Sequence, residues 1–402
     1  MSKLITNTIR HTGASSDSLT FNSDGHATVE NNLTVDGSST LTGNVTVAGS
    51  LTASNYAGRN LISNGEFLIA QRSTAAVTTS AGSNEGYQTV DRWRFYVVGT
   101  AAFTQQQVEL TTDAAPDGFS RALKIDCTTA DASVAAGDYV NLQQNIEGFT
   151  WAHLNYGRSD AKTVTISFWV KATKTGTYTF GLRNEAANRS YIAEYTVSST
   201  NTWEKKTITI AGDTSGTWTT DNGLGARCAF SLMNGTDGTA AANTWHAGNY
   251  WSTTNQVNGM DNTDNNFLIT GVQLEVGPAT EFEHRSYGDE LAKCQRYFFR
   301  LVAGNNQAIS VGGYYTNSLF TAHVYFPVTM RSAPTLDLGT GTDYYRIYHS
   351  GTNDNFNSFI QERTSTTGVC IDATSGVSGT EGHAGNMTTH NASAYVQFAA
   401  EL

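Results

Sequence analysis

The stretch NTWHAGNYWSTTNQVNGMDNTDNN, residues 243–266, sets Trp245, His246, Tyr250 and Trp251 among asparagines. Aromatic faces stack on the C–H faces of sugar rings, and Asn, Asp and His pair with hydroxyls. The composition therefore suits carbohydrate binding. The competing reading is architectural, with Trp245 and Trp251 plugging a sheet edge, because aromatics also dominate cores. A second group, Tyr344, Tyr345, Tyr348 and His349 in YYRIYHSG, supplies surface-contact candidates, since tyrosine is favoured at interfaces. The run DNTDNN lacks the spacing of an EF-hand loop.

Catalytic signatures are missing from the sequence: it has no GxSxG, HExxH, P-loop or GxGxxG pattern. Glycan cleavage needs two carboxyl groups roughly 5–10 Å apart. Glu281 and Glu283, in TEFEH, fall on one side of an expected strand near a domain edge and read as structural. Trp93 and Trp169 lie within strong strand patterns and read as core. No catalytic residue, cofactor or metal is assigned.

The elements that must carry these residues are β-strands. The chain has 402 residues, 15% of them charged, 38 glycines and only 4 prolines; aromatics reach 11%, too many for a disordered chain. The net charge of −11, with no basic run, argues against nucleic acid as a partner. No apolar run approaches membrane-spanning length, and no signal peptide is visible. Cys127, Cys228, Cys294 and Cys370 lie far apart and form no zinc pattern; they read as isolated buried thiols made in a reducing cytosol.

Residues 27–56 repeat every six positions: ATVENN, LTVDGS, STLTGN, VTVAGS, LTASNY. Each unit reads as a three-residue strand with two inward positions, then a turn at Gly or Asn. The inward set includes Val29, Leu33, Val35, Leu41, Val45, Val47 and Leu51. One copy buries too little apolar surface to offset the ordering of so thin a ribbon. Three copies around one axis would bury the stripes and pair the strand edges, so a homotrimeric β-stem is expected. A single-chain solenoid is the alternative.

Beyond residue 58 the strand signals multiply. TVTISFWVKA (163–172) puts Val164, Ile166, Phe168 and Val170 on one face, and GTYTFGLRN (176–184) follows as its expected hairpin partner. WEKKTITIAG (203–212) and NNFLITGVQLEVG (265–277) read as further strands of a two-sheet jelly roll. YGDELAKCQRYFFR (287–300) is the one good helix pattern, with Leu291, Cys294 and Phe298 on one face and Asp289 as its cap. After it FTAHVYFPV alternates Phe320, Ala322, Val324 and Phe326 inward, within an expected antiparallel sandwich. The expectation is all-β, a homotrimeric fibre in five parts: an anchoring segment 1–20, a hexad-repeat stem 21–58, a jelly roll 59–287, a connecting helix 288–300 and a β-sandwich tip 301–402.

RNLISNGEFLIAQRST, then YQTVDRWRFY, then ITGVQLEVGPATEFEHRSYGDELAKCQRYFF resemble a domain of tailed-bacteriophage tail fibres, including those of marine phages. That domain is similar to a carbohydrate-binding-module jelly roll. MSKLITNTIRHTGASS also resembles the start of such fibres, where they join the tail. The resemblance implies a virion tail fibre, made in the host cytoplasm. It implies attachment to a tail adaptor or nozzle protein through residues 1–20 and binding of a host surface glycan or outer-membrane receptor. Tailspike-like depolymerase and purely structural fibre are the alternatives. Asn64, Gly65 and Phe67 match an NGxF first-strand motif; in such jelly rolls calcium often bridges that strand to acidic residues of the last. Here Thr270 and Gly271 stand where aspartates are expected, which leaves an oxygen shell short of charge even with Glu66.

Val35→Asp or Val47→Asp should dissociate the trimer or stop folding; sedimentation of both variants at the wild-type trimer mass would refute the stem assignment.

Overall fold

The computed structural model describes residues 58–111 and 115–402, plus the backbone of three short strands nearer the start. The chain forms two compact units, Met1–Ala53 and Ser54–Leu402. In the first, β1 (Thr8–Ile9), β2 (Leu19–Phe21) and β3 (Ala27–Thr28) make an antiparallel sheet in that order. The stem positions Val29, Leu33, Val35, Leu41, Val45, Val47 and Leu51 lie outside the described residues.

The second unit is all-β apart from short helical segments. Its first part runs β4 (Val77–Ser80), β5 (Trp93–Val98), β6 (Ala102–Glu109), β7 (Arg121–Thr129) and β8 (Tyr139–Glu147), then a helical turn α1 (Gly148–Trp151). It continues through β9 (Val164–Ala172), β10 (Gly176–Arg183), β11 (Ser190–Val197) and β12 (Glu204–Ile210), closing with β13 (Leu224–Asn234), β14 (Trp245–His246) and β15 (Asn266–Val276). Two six-stranded antiparallel sheets result, ordered β14-β11-β10-β13-β8-β5 and β12-β9-β15-β7-β6-β4. They face each other as a jelly-roll β-sandwich. Alternate side chains fill the gap, with Phe95 meeting Phe103 at 4.7 Å and Phe168 meeting Phe230 at 4.9 Å between ring centres.

The hairpin expected between 163–172 and 176–184 does not form. β9 pairs with β12 and β15, while β10 pairs with β11 and β13. The chain arches from one sheet to the other at Gly176, whose φ is +131°. Both strands carry a row of large apolar residues, so each closes the core as a facing layer instead of lying beside the other.

Trp93, 1% exposed, is core as expected; its indole Nε1 donates to the Asn64 carbonyl at 3.0 Å. Asn64 has a left-handed backbone (φ 56°), and its side chain bridges the Ile69 and Asp91 carbonyls at 2.8 and 2.9 Å. The NGxF segment is thus a buried turn, closed by polar pairing.

The helix α2 spans Tyr287–Gln295 and stops short of the expected 300, because Phe298 already begins β16 (Phe298–Ala303). Its cap is Ser286, three residues before the expected Asp289. The Ser286 hydroxyl accepts from the Asp289 amide at 3.2 Å and donates to the Asp289 carboxylate at 2.6 Å. Then follow β17 (Ala308–Thr316), β18 (Leu319–Tyr325), β19 (Thr335–Leu338), β20 (Tyr345–His349) and β21 (Thr352–Phe356). Last come β22 (Ile360–Glu362), β23 (Gly368–Ala373), β24 (Ala384–Thr389) and β25 (Tyr395–Ala399). They form a three-stranded sheet, β16-β25-β19, and a seven-stranded one, β21-β20-β24-β17-β18-β23-β22. Phe320, Ala322, Val324 and Phe326 are all buried in its core, as the alternation predicts. All four cysteines are free thiols; Cys370 is only half-buried.

Polar contacts join this part to the jelly roll. Arg92, 2% exposed and left-handed (φ 71°), pairs with Glu401 and lies 3.5 Å from the Tyr297 ring centre. Arg296 forks onto Glu147 at 2.9 and 2.5 Å, and the Tyr297 hydroxyl donates to the same carboxylate at 2.7 Å. Asp91 is fully buried, and burial pushes its carboxyl up to about 6, with Arg72 and Gln71 offsetting only part of that cost.

A carboxyl raised on folding holds its proton better in the folded chain than in the unfolded one. Its contribution to stability is therefore full at low pH and lost as pH rises from about 4 towards about 6. The wild type minus Asp91→Asn stability difference, measured by denaturant titration across this range, should fall by roughly 1 kcal/mol per pH unit at its steepest. A flat difference would refute the assignment.

Candidate functional site

Strand alternation builds the outward face of the sheet containing β8. On β8, Val140, Leu142 and Ile146 enter the core, leaving Tyr139, Asn141, Gln143 and Asn145 for the other face. On β5, Trp93, Phe95 and Val97 point inward, leaving Arg94 and Tyr96 outward. Register then aligns residues distant in sequence. Tyr96, Asn141, Ser231 and Thr179 form one row across four strands; Arg94, Gln143, Ala229 and Gly181 form the next. One step further, Asn145 lies opposite Arg227, and Arg227 opposite Arg183.

Ala229 and Gly181 keep the centre low, and a cleft of ≈ 390 Å³ opens over this face, lined by Tyr96, Tyr139, Gln143, Arg183, Arg227 and Trp251 among others. The segment after β13 makes one wall. Thr179 Oγ1 donates to the Trp251 carbonyl at 3.1 Å, and the Arg183 guanidinium lies 4.1 Å from the Trp251 ring centre. A Cβ at position 181 would sit 3.1 Å from Trp251 Cε3, so glycine permits this close approach.

The cleft leaves polar atoms without protein partners. Gln143 Oε1, Arg183 Nε and Asn234 Oδ1 have none, and neither do the two amide heteroatoms of Asn141 beside it. Asn141 is 0% and Gln143 2% exposed. Buried polar groups are rarely left this way, and each costs about 1–3 kcal/mol when it is. Tyr96 and Tyr139 stand at the rim with ring centres 6.4 Å apart and planes 31° apart, and Tyr96 is 37% exposed. The arrangement combines apolar ring faces with unpaired donors and acceptors.

The aromatic quartet proposed from sequence divides. Trp251 lines the cleft as a wall, only 5% exposed. Trp245 belongs to an aromatic cluster at the sheet edge, 5.3 Å from Tyr191 and 5.7 Å from Trp218, with its Nε1 donating to the Ala211 carbonyl at 2.8 Å. This is the edge plug that the competing reading described. His246 contacts the Ala241 carbonyl at 2.8 Å and the Tyr250 ring at 5.8 Å; neither lines the cleft.

The C-terminal candidates divide too. Tyr345 is core, 0% exposed, with its hydroxyl 2.6 Å from the Gly339 carbonyl, and His349 is buried against Tyr314 and Asp354. Alternation along β20 sends both inward, which removes them as surface contacts. Tyr348 is exposed and Tyr344 half-buried. The openly exposed tyrosines in this part are Tyr315 and Tyr325.

Trp169, expected in the core, faces outward on β9, the opposite phase to Phe168 and Val170. It lines a hollow of ≈ 350 Å³ over its own sheet, walled by Phe119, Phe282 and His284 from irregular chain. Glu281 and Glu283 lie in irregular chain, not a strand. Glu283 fixes the Asn60 amide at 2.7 Å and Arg285 at 3.3 Å, a structural role. Sequence reasoning passed over Tyr96, Tyr139, Gln143, Arg183 and Arg227; the available signal was the alternation in WRFYVV and YVNLQQNIE, whose outward residues are polar or aromatic.

The residues present do not fit the calcium that the NGxF resemblance suggests. The Asn64 amide is engaged with Ile69 and Asp91, and the Thr270 hydroxyl donates to the Arg121 carbonyl at 2.7 Å. Glu66 faces His284 at 3.0 Å, and burial raises its pKa. Among the described residues no three His, Cys, Asp or Glu side chains converge on a metal position.

No family model matches the chain, and no curated protein does. Several solved structures are similar over about half of it. The enzymatically active domain of a tailspike protein from bacteriophage CBA120 is 14% identical, with 55% of this chain and 22% of that one covered, at a TM-score of 0.29. The chain thus spans under a quarter of that protein. A family 11 carbohydrate-binding module of a Clostridium thermocellum cellulase is 13% identical over 53% of this chain and 99% of its own, at 0.26. A family 4 carbohydrate-binding module is 16% identical over 53% and 98%, also at 0.26. TM-scores this low fix neither a ligand nor a role for this chain.

If Trp245 is architecture, Trp245→Ala should lower unfolding free energy by about 2–3 kcal/mol, the loss expected for a half-buried indole. Tyr96→Ala, at the open rim, should change it by under about 0.5 kcal/mol. Denaturant titration of the two variants checks the contrast, and equal losses would refute it.

Proposed function

We propose that this chain is a non-catalytic glycan-binding fibre protein of a tailed bacteriophage, with the cleft over β5, β8, β13 and β10 as its saccharide site. The observation that carries the reading is the set of buried polar atoms without partners beneath two rim tyrosines. A sugar's hydroxyls can complete Gln143 and Asn234, while its C–H faces lie against Tyr96 and Tyr139. An apolar ligand would leave those groups unpaired, and a flat protein partner would not reach them.

The finer parts of the reading rest on the sequence resemblance. They are attachment to the tail through residues 1–20, residence in the virion and recognition of a host surface glycan during adsorption; the three copies joined through the stem rest instead on the six-residue repeat. Three weak sites per fibre, and several fibres per particle, would together raise avidity by about 10²–10⁴.

One observation favours a second reading, a depolymerase: Asp138 and Asp237 both line the cleft. Glycoside hydrolysis needs one carboxyl held protonated by its surroundings. Asp237 is exposed and Asp138 accepts from the Ala135 amide at 3.0 Å, which suits a binding rim better. New reducing ends after incubation with host envelope polysaccharide would decide for the enzyme.

Gln143→Leu separates binding from folding. It replaces a buried, unpaired amide with an apolar side chain of similar size, so melting temperature should hold or rise. Binding on a glycan array should fall by roughly tenfold or more, the cost of one or two lost hydrogen bonds. Retained binding with a raised melting temperature would refute the site.

A further inference from the structure

The cleft has two unlike ends. At one, Tyr139 lies opposite Asn234, with Asp138 and Asp237 on the adjoining loops. At the other, Arg183 and Arg227 lie opposite each other on β10 and β13, and Arg94 stands on β5 across from Gln143. None of these arginines has a carboxylate partner among the described residues. Arg183 donates to the Asn249 side chain and stacks on Trp251; Arg227 donates to Asn145 Oδ1 at 2.9 Å; Arg94 lies 4.5 Å from the Tyr96 ring centre. Arg183 is 6% exposed with its Nε unpartnered, and Arg94 Nε is unpartnered as well.

Three guanidinium groups on one patch are unusual in a chain with 24 basic and 35 acidic residues. Their mutual repulsion is a standing cost, and burial together with the Arg94 charge lowers the pKa of Arg227. An anion between them would relieve that cost and complete the open Nε atoms through the two-pronged geometry that guanidinium offers to carboxylate, sulfate or phosphate.

Resting on the glycan-binding reading above, we propose that the ligand is an anionic saccharide whose acidic group is held by Arg183 and Arg227, with Arg94 in support. The rest of the sugar extends towards Asp138 and Asp237, whose carboxylates accept from neutral hydroxyls and repel a second acidic group. The cleft thus reads both the charge and its direction along the chain.

The test is calorimetric titration of the full chain with two pairs of oligosaccharides of fixed length. One pair is an oligogalacturonate and its carboxyl-reduced counterpart; the other is a sulfated galactan oligomer and its desulfated counterpart. The expected result is that at least one anionic member binds roughly tenfold or more tighter than its neutral partner. That preference should shrink as salt is raised and vanish in Arg183→Gln and Arg227→Gln. The salt dependence is read on the unaltered protein, so it stands even if a variant folds poorly. The two pairs distinguish carboxylate from sulfate as the source of charge. Equal binding of charged and neutral members would overturn the anionic preference and leave the glycan site standing. No binding of any of the four would overturn both.

Discussion

Asn145 is the point on which the functional face depends. Its carbonyl accepts from Arg92 at 2.6 Å, its Nδ2 donates to the Leu402 main-chain oxygen at 2.6 Å, and its Oδ1 accepts from Arg227 at 2.9 Å. One residue on β8 thus ties the buried ion pair of the junction, through its main-chain carbonyl, to a guanidinium of the cleft, through its side chain. Arg92 in turn is committed by its surroundings, as it pairs with Glu401 and lies against Tyr297 in a nearly dry setting. A buried charge of this kind has no tolerable alternative position. The C-terminal sheets and the jelly roll are therefore held in one arrangement, and Arg227 inherits it.

The same logic separates architecture from recognition within the jelly roll. Trp93, Trp218 and Trp245 each pack against neighbouring rings and donate the indole N–H to a main-chain carbonyl. Asn141, Gln143 and Arg183 are equally buried but unsatisfied. Partnerless buried atoms also occur elsewhere, at Trp151, Tyr156 and Tyr195 for example, so what sets the cleft apart is that Gln143, Arg183 and Asn234 line one open hollow together.

Much of the scaffold was legible in the sequence. The alternation of Val164, Ile166, Phe168 and Val170, and of Phe320, Ala322, Val324 and Phe326, gave strands with the correct inward faces. Period-two patterning says which face is buried but not which strand lies alongside, so β9 and β10 read as a hairpin although they belong to opposite sheets. Composition names Tyr345 and His349 as surface candidates without saying that they share the inward phase of β20, and Trp169 takes the outward phase of β9. The site was scarcely legible because its parts come from residues 94–96, 139–145, 181–183 and 227–234, which only cross-strand register brings together. The aromatic-rich segment 243–266 suits a sugar by composition, yet it contributes one wall, through Asn249 and Trp251.

The junction also limits what can lie on the sheet. Glu401 and Leu402 occupy the surface of β8 beyond Gln143, so the open trough ends at Arg227. A polymer laid parallel to the strands runs into protein there and cannot continue. Under the proposed reading, such a trough suits a chain terminus or a side branch better than the middle of a polymer.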